Sequence, residues 1–342
     1  MHYFQLQQEL KQGGCQPLYL LYGTETLLMN RMVREMEQQI IPGEERDFNI
    51  QRYDCMQDSI QSILEDADTF PMLGERRFLH VSNALFFTAQ HVTYKVEHNL
   101  EQLLQYLSQP APFSIIVFTL PQVEKLDERK KIVKMFREKG SIVQFQPLKE
   151  AEISQWLKSE AEHYGKELRG DATEALMIAC KNSLAQMEME MEKLTLYTGE
   201  RSYITGEDVR TLVPRSLESD VFALANHLFK REWEAVFRTY YDLLQFQESP
   251  LKLFALLARQ VRLVLYAQGF MQQGYGERQI AQRLKLPTFV IRSLMQYARQ
   301  YKEVELRQAL IMIAQLDYEI KTGQTDEKLA IERFIFHFQE VS

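Results

Sequence analysis

The sequence predicts a mixed fold, a parallel α/β domain at the N-terminal side followed by all-α segments. Three observations carry that expectation. Short apolar segments alternate with helical patterns through the first 148 residues. Those segments are hydrophobic almost without interruption, the mark of strands covered on both faces rather than half-exposed. Beyond about residue 149 no convincing strand is expected, and only the helical period remains.

In order along the chain, strands are expected near 18–22 (LYLLY), 48–53 (FNIQRY), 77–81 (RFLHV), 114–119 (SIIVFT) and 141–145 (SIVQF). Helices fall between them, for example at 57–66, 96–108 and 127–138, as a mostly parallel sheet requires. Residues 150–212 read as three or four short helices. Leu184, Met187, Met191 and Leu194 recur on one helical face and should be buried, while the glutamates of the MEMEMEK run should be solvated. Pro214 and the polar stretch RSLESD mark a boundary. Helices are then expected at 218–229, 232–244, 249–273, 287–300, 302–321 and 326–338. Between the last two, Gly323 can take a left-handed C′ position and Asp326 can cap the next helix. The expected organisation is an α/β domain (1–148), a small helical domain (149–213) and a helical C-terminal domain (214–342).

Composition narrows the classes. With 342 residues, 45% hydrophobic and 25% charged, the chain is long enough for two or three cores. A net charge of −7 argues against coating nucleic acid by bulk electrostatics, although a local basic face stays open. Cys15, Cys55 and Cys180 are odd in number and far apart, unlike a disulfide framework or zinc cluster. No apolar run is long enough to span a membrane, and the opening MHYFQLQQELKQGG lacks the apolar centre of a signal peptide. A cytoplasmic protein is expected.

Residues 17–40 carry the most pointed signal. They read as a buried strand, a turn at Gly23 and an amphipathic helix, the layout of a phosphate-binding loop. A working loop also needs a second glycine, a lysine for the phosphates and a Ser or Thr for magnesium. After Gly23 come Thr24, Glu25, Thr26, Leu27, Leu28 and Met29: no lysine, and a glutamate that would repel phosphate. The strand at 114–119 should end in acidic residues if magnesium and water were positioned there, and it ends in Leu120, Pro121 and Gln122. The frame is that of an ATPase with the chemistry missing, so no nucleotide cofactor is expected. Other catalytic signatures are lacking too. The closest histidines, His91 and His98, are seven apart, and neither an HExxH nor a GxSxG pattern occurs.

Three further segments stand out. Phe70-Pro71-Met72-Leu73-Gly74 sets apolar side chains in a turn, either a loop folded over the sheet edge or an exposed plug for a partner's pocket. At 125–131, KLDERKK opens a helix, with Asp127 expected to cap it. Residues 276–300 have the spacing of a helix-turn-helix, and 276–302 carry a local charge of +5. The second helix, however, begins Thr288-Phe289-Val290-Ile291, poor material for reading base edges.

Taken together, LYLLYGTETLL, FPMLGERRFLHV, KLDERKKIVKMF, LLARQVRLVL, RLKLPTFVIRSLMQYARQY and DYEIKTGQTDEKLAIERFI resemble, in order and spacing, the delta subunit of the bacterial DNA polymerase III clamp loader, most closely its Gram-positive form. The resemblance implies an AAA+-like fold: a RecA-like domain, a helical lid and a helical collar for oligomerisation. It implies a subunit that neither binds nor hydrolyses ATP, with Gly23, Thr24, Glu25 and Thr26 forming a degenerate loop. It further implies that an apolar wedge, here Phe70, Met72 and Leu73, engages the ring-shaped beta sliding clamp. Leu73 stands where that family often has an aromatic. The implied partners are the clamp, the tau/gamma motor subunits and delta-prime through the collar, and primer-template DNA weakly within the complex. The alternatives are a helix-turn-helix DNA-binding protein and an atypical AAA+ ATPase.

Overall fold

Strands without a polar face have one stable location, the middle of a layered sheet. In the computed structural model, which describes residues 2–214, 217–245 and 250–341, the N-terminal strands take that location. The chain packs as two units, Met1–Leu148 and Lys149–Ser342.

The first unit runs α1 (Tyr3–Lys11), β1 (Leu18–Gly23), α2 (Thr26–Ile40), α3 (Arg46–Asn49), β2 (Ile50–Asp54), α4 (Ile60–Ala67), β3 (Arg77–Ser82), α5 (Leu100–Ser108), β4 (Ser114–Pro121), α6 (Lys131–Lys139) and β5 (Ser141–Phe145). Its five strands pair in parallel in the order β2-β3-β4-β1-β5. β1 is buried along its whole length and β4 up to Pro121. Leu20, Leu79, Ile116 and Phe118 of the sheet meet Ile63, Leu103 and Phe136 of the covering helices in one core. Phe87, Phe118 and Phe136 pack edge to face there, with centroids 5.4 to 5.9 Å apart.

Element starts follow local chemistry. Ser59 caps α4 by accepting from the Ser62 N–H, and Asn99 caps α5 by accepting from Glu101 and Gln102. Several boundaries differ from expectation: the helices expected from 57 and 96 begin at Ile60 and Leu100, just after these caps. The strand expected at 48–53 begins at Ile50, because Phe48 and Asn49 complete the short helix α3. The helix expected from 127 begins at Lys131, so Asp127 does not cap it. Its carboxylate, four residues before the helix starts, instead accepts from the backbone and guanidinium of Arg129.

The second unit contains α7 (Glu150–His163), β6 (Glu167–Leu168), α8 (Gly170–Ala179), α9 (Leu184–Thr198), β7 (Tyr203–Ile204), α10 (Gly206–Leu212), α11 (Leu217–Lys230), α12 (Trp233–Gln245), α13 (Pro250–Gln272), α14 (Glu277–Leu284), α15 (Thr288–Gln300), α16 (Glu303–Lys321) and α17 (Glu327–Val341). The expectation of no strand beyond 149 is corrected by the parallel pair β6–β7. Two residues per strand are too few to show a period, so pattern reading misses them. Leu184, Met187, Met191 and Leu194 are buried as expected. Glu190 departs from the expected solvated face: it is 4% exposed and ion-paired to Lys193 at 2.5 Å. Residues from Val221 to Phe338 close a second core. Gly323 sits at φ +71°, and Asp326 accepts from the Lys328 and Leu329 amides at 2.9 and 3.2 Å. Residues 215 and 216 of the expected boundary, and 249 at an expected helix start, lie outside the described residues. No described helix is long and apolar enough to cross a membrane.

Candidate functional site

Two loops of the first unit hold the residues singled out by sequence. The first follows β1. Gly23 has φ +146°, and a Cβ placed on it would fall inside the Phe145 carbonyl. The glycine therefore serves a close backbone approach between β1 and β5. The amides that would cradle a phosphate are committed elsewhere. Glu25 N–H donates to Phe145 O at 3.1 Å and Thr26 N–H to Thr24 O at 3.1 Å. On the opposite side Gln122 N–H donates to Gly23 O at 2.8 Å, tying the end of β4 to the same turn. Thr24, Glu25 and Thr26 are half-buried, and burial pushes the Glu25 carboxyl above its usual range, with the Leu27 amide working against it. Further into α2, Leu28 and Met29 are buried. The loop offers an anion a glutamate, occupied amides and no lysine.

The second loop joins α4 to β3. Of its apolar residues Phe70 is 76% exposed, Met72 77% and Leu73 50%. These apolar side chains are on the surface rather than buried against the sheet. Its two ends are anchored by polar contacts beneath. Ser114 Oγ donates to Ala67 O at 2.5 Å, at the end of α4. At the other end, Arg77 pairs with Asp66 at 2.5 Å, and Tyr53 OH donates to the same carboxylate at 3.0 Å. Phe70 stacks on Phe113, ring centroids 4.6 Å apart, so it leans on the body of the unit while Met72 and Leu73 stand clear. Gly74 turns the chain at φ +76°.

A residue that the sequence did not flag holds the middle of this loop. Asn49 is fully buried at the end of α3. Its Oδ1 accepts from the Met72 N–H at 3.2 Å, and its Nδ2 donates to the Leu73 carbonyl. The only sequence signal was an asparagine within an apparently apolar strand, which by itself names no partner.

The 276–300 segment forms two helices, α14 and α15, joined by a turn in which Lys285 takes φ +54°. The start of α15 is already occupied. Glu150 accepts from Thr288 N–H at 2.6 Å, from the Thr288 hydroxyl and from Phe289 N–H at 3.4 Å. Val290 and Ile291 are buried. Two of the local cations are also engaged: Arg292 with Glu277 at 3.2 Å, and Arg283 over the Tyr275 ring at 4.3 Å.

A five-stranded parallel sheet in this order, a glycine turn of phosphate-loop shape at the end of its β1, and a helical unit later in the sequence define an AAA+-like chain. A family model for the DNA polymerase III delta subunit matches residues 19–146, and one for its C-terminal domain matches 218–338. The DNA polymerase III subunit delta of Bacillus subtilis (strain 168) is 37% identical over 332 residues, 97% of this chain and 95% of that one. The solved Bacillus subtilis DNA clamp loader delta protein is 36% identical, with a TM-score of 0.57 over 99% of each chain. This chain belongs to the DNA polymerase III delta subunit family, a clamp-loader component of DNA replication.

Proposed function

We propose that this chain is the non-hydrolysing subunit through which the clamp loader grips the beta sliding clamp and springs its ring open. The observation that carries the reading is the loop of Phe70, Met72 and Leu73, whose apolar side chains are exposed while its backbone is held from below. Exposed apolar anchors on a fixed backbone are what binding into a preformed pocket requires. Opening follows if the surrounding contacts fit the open ring better than the closed one, because a ligand shifts an equilibrium only by its differential affinity.

The loop after β1 supports the non-hydrolysing part, since Gly23, Thr24, Glu25 and Thr26 supply a carboxylate and used amides where ATP would need a cation. Nucleotide bound to neighbouring motor subunits would control access to the wedge. In this reading 149–213 is the lid and 214–342 the collar that meets the tau/gamma subunits and delta-prime. On α16, Val304, Ile311 and Tyr318 recur every seventh residue at 61 to 66% exposure, an apolar stripe suited to a neighbouring helix. DNA contact is modest and directed at phosphates. A helix-turn-helix reader is disfavoured because Glu150 fills the N-terminal end of α15.

The test is release of a clamp ring from nicked circular DNA by the purified chain without ATP. Release by wild type that Met72→Ala/Leu73→Ala abolishes is the expected result. No release at saturating chain, or release only with hydrolysable ATP, would contradict the reading.

A further inference from the structure

We propose that Asn49 is the positioning residue of the wedge, setting the Met72–Leu73 peptide in the shape a clamp pocket accepts; this rests on the clamp-opening reading above. Asn49 has no exposed surface, yet its carboxamide reaches a loop 23 and 24 residues further along the chain. One acceptor and one donor on a single planar group meet one N–H and one C=O of consecutive residues, as a neighbouring strand would. The polar bonds are made by backbone alone, so both side chains are left free to project.

The flanks do not do this work. Phe70 is fixed by its stack on Phe113, and Gly74 by a left-handed turn beside the Glu45 carboxylate. Between them lie Pro71, Met72 and Leu73, and Asn49 fastens the backbone of the last two. The chemistry is selective. Aspartate keeps the acceptor for Met72 but loses the donor and sets a charge against the Leu73 carbonyl. Leucine fills similar space and makes neither bond. A loop held in its bound shape avoids an ordering cost on association, which is how a buried residue that never touches the partner can govern affinity.

The test uses the full chain and two readouts, amide hydrogen exchange at Met72 and affinity for the purified sliding clamp. Asn49→Leu and Asn49→Asp are compared, each with and without Met72→Ala. Exchange at Met72 should quicken in both variants while the β3 amides stay protected. Clamp affinity should fall roughly 10-fold for Asn49→Leu and by a comparable factor for Asn49→Asp. In the Met72→Ala background the same changes should cost little, because the wedge Asn49 positions is already blunted. A purely structural role would instead give equal losses in both backgrounds, and that result, or unchanged affinity with quickened exchange, would overturn the proposal. If Asn49→Leu fails to fold, Asn49→Asp decides the same comparison. If wild type itself does not bind the clamp, the functional reading fails, and unchanged Met72 exchange would separately overturn the hold on the loop.

Discussion

Replacing Gly23 by alanine separates a phosphate-binding glycine from a structural one. If the glycine is kept for a ligand, alanine should leave stability nearly unchanged. Its φ of +146° and the position of the Phe145 carbonyl lead to the opposite expectation. A non-glycine residue in that region costs about 1–3 kcal/mol in backbone strain. The methyl group must also push aside the backbone of β5, whose Phe145 is the register partner of Gly23 and accepts from Glu25 N–H. Losing that bond adds about 1 kcal/mol. The total is about 2–4 kcal/mol, against less than about 1 kcal/mol for Thr24→Ala or Glu25→Ala at half-buried positions. Urea melts read by far-UV circular dichroism measure it, because Trp156 and Trp233 both lie in the second unit and report little on the first. With a urea slope of about 1–3 kcal/mol/M, the transition of the first unit should fall by about 1–4 M. An unchanged midpoint for Gly23→Ala would refute the close-approach argument.

Three other outcomes follow from single contacts. Glu150→Ala removes the acceptor at the start of α15 and should cost the second unit about 1–2 kcal/mol, read from tryptophan fluorescence, with Glu150→Gln losing less. Arg77→Ala strands Asp66 beneath the loop of Met72 and Leu73 and should cost about 2–3 kcal/mol, with Arg77→Met, which loses the same charge but keeps the stem, showing most of that loss; a near-wild-type Arg77→Met would show that packing rather than the charge pair matters. Burial, with Arg52 adding to it, lowers the His80 pKa from 6.5 to about 4, so the folded chain keeps this ring neutral. Stability from His80 is complete above pH 6.5 and is lost as pH falls towards 4, by up to about 3 kcal/mol. His80→Gln should flatten that part of the pH–stability curve, and an identical acid limb in both proteins would contradict the assignment.

The sheet was legible because LYLLY and SIIVFT admit no exposed face, and burial on both sides forces the parallel layered arrangement. Helix ends were legible where a capping side chain acts within its own turn, as at Asp326. Asp127 was misread because Arg129 competes for the same carboxylate, a choice made by geometry rather than residue type. Glu190 was misread because an ion pair with Lys193 lets a charge sit against the core. At the candidate site, FPMLG pointed to an apolar loop, but nothing in it reveals that its backbone hangs on Asn49 from before β2. Contacts across that much sequence leave no periodic trace. The occupied amides after Gly23 were likewise invisible, although the missing lysine pointed the same way.

Binding of the purified chain to its own organism's sliding clamp, wild type against Met72→Ala/Leu73→Ala, tests the central claim most directly. Scaled by their 77% and 50% exposure, burying the two side chains contributes about 3 kcal/mol, so the double variant should bind about 100-fold more weakly. Its melting temperature should stay near that of wild type, because both side chains are exposed in the free chain. Wild-type binding that the double variant retains at full strength would place the contact elsewhere. Folded wild type that does not bind the clamp, alone or with its loader partners, would contradict the account.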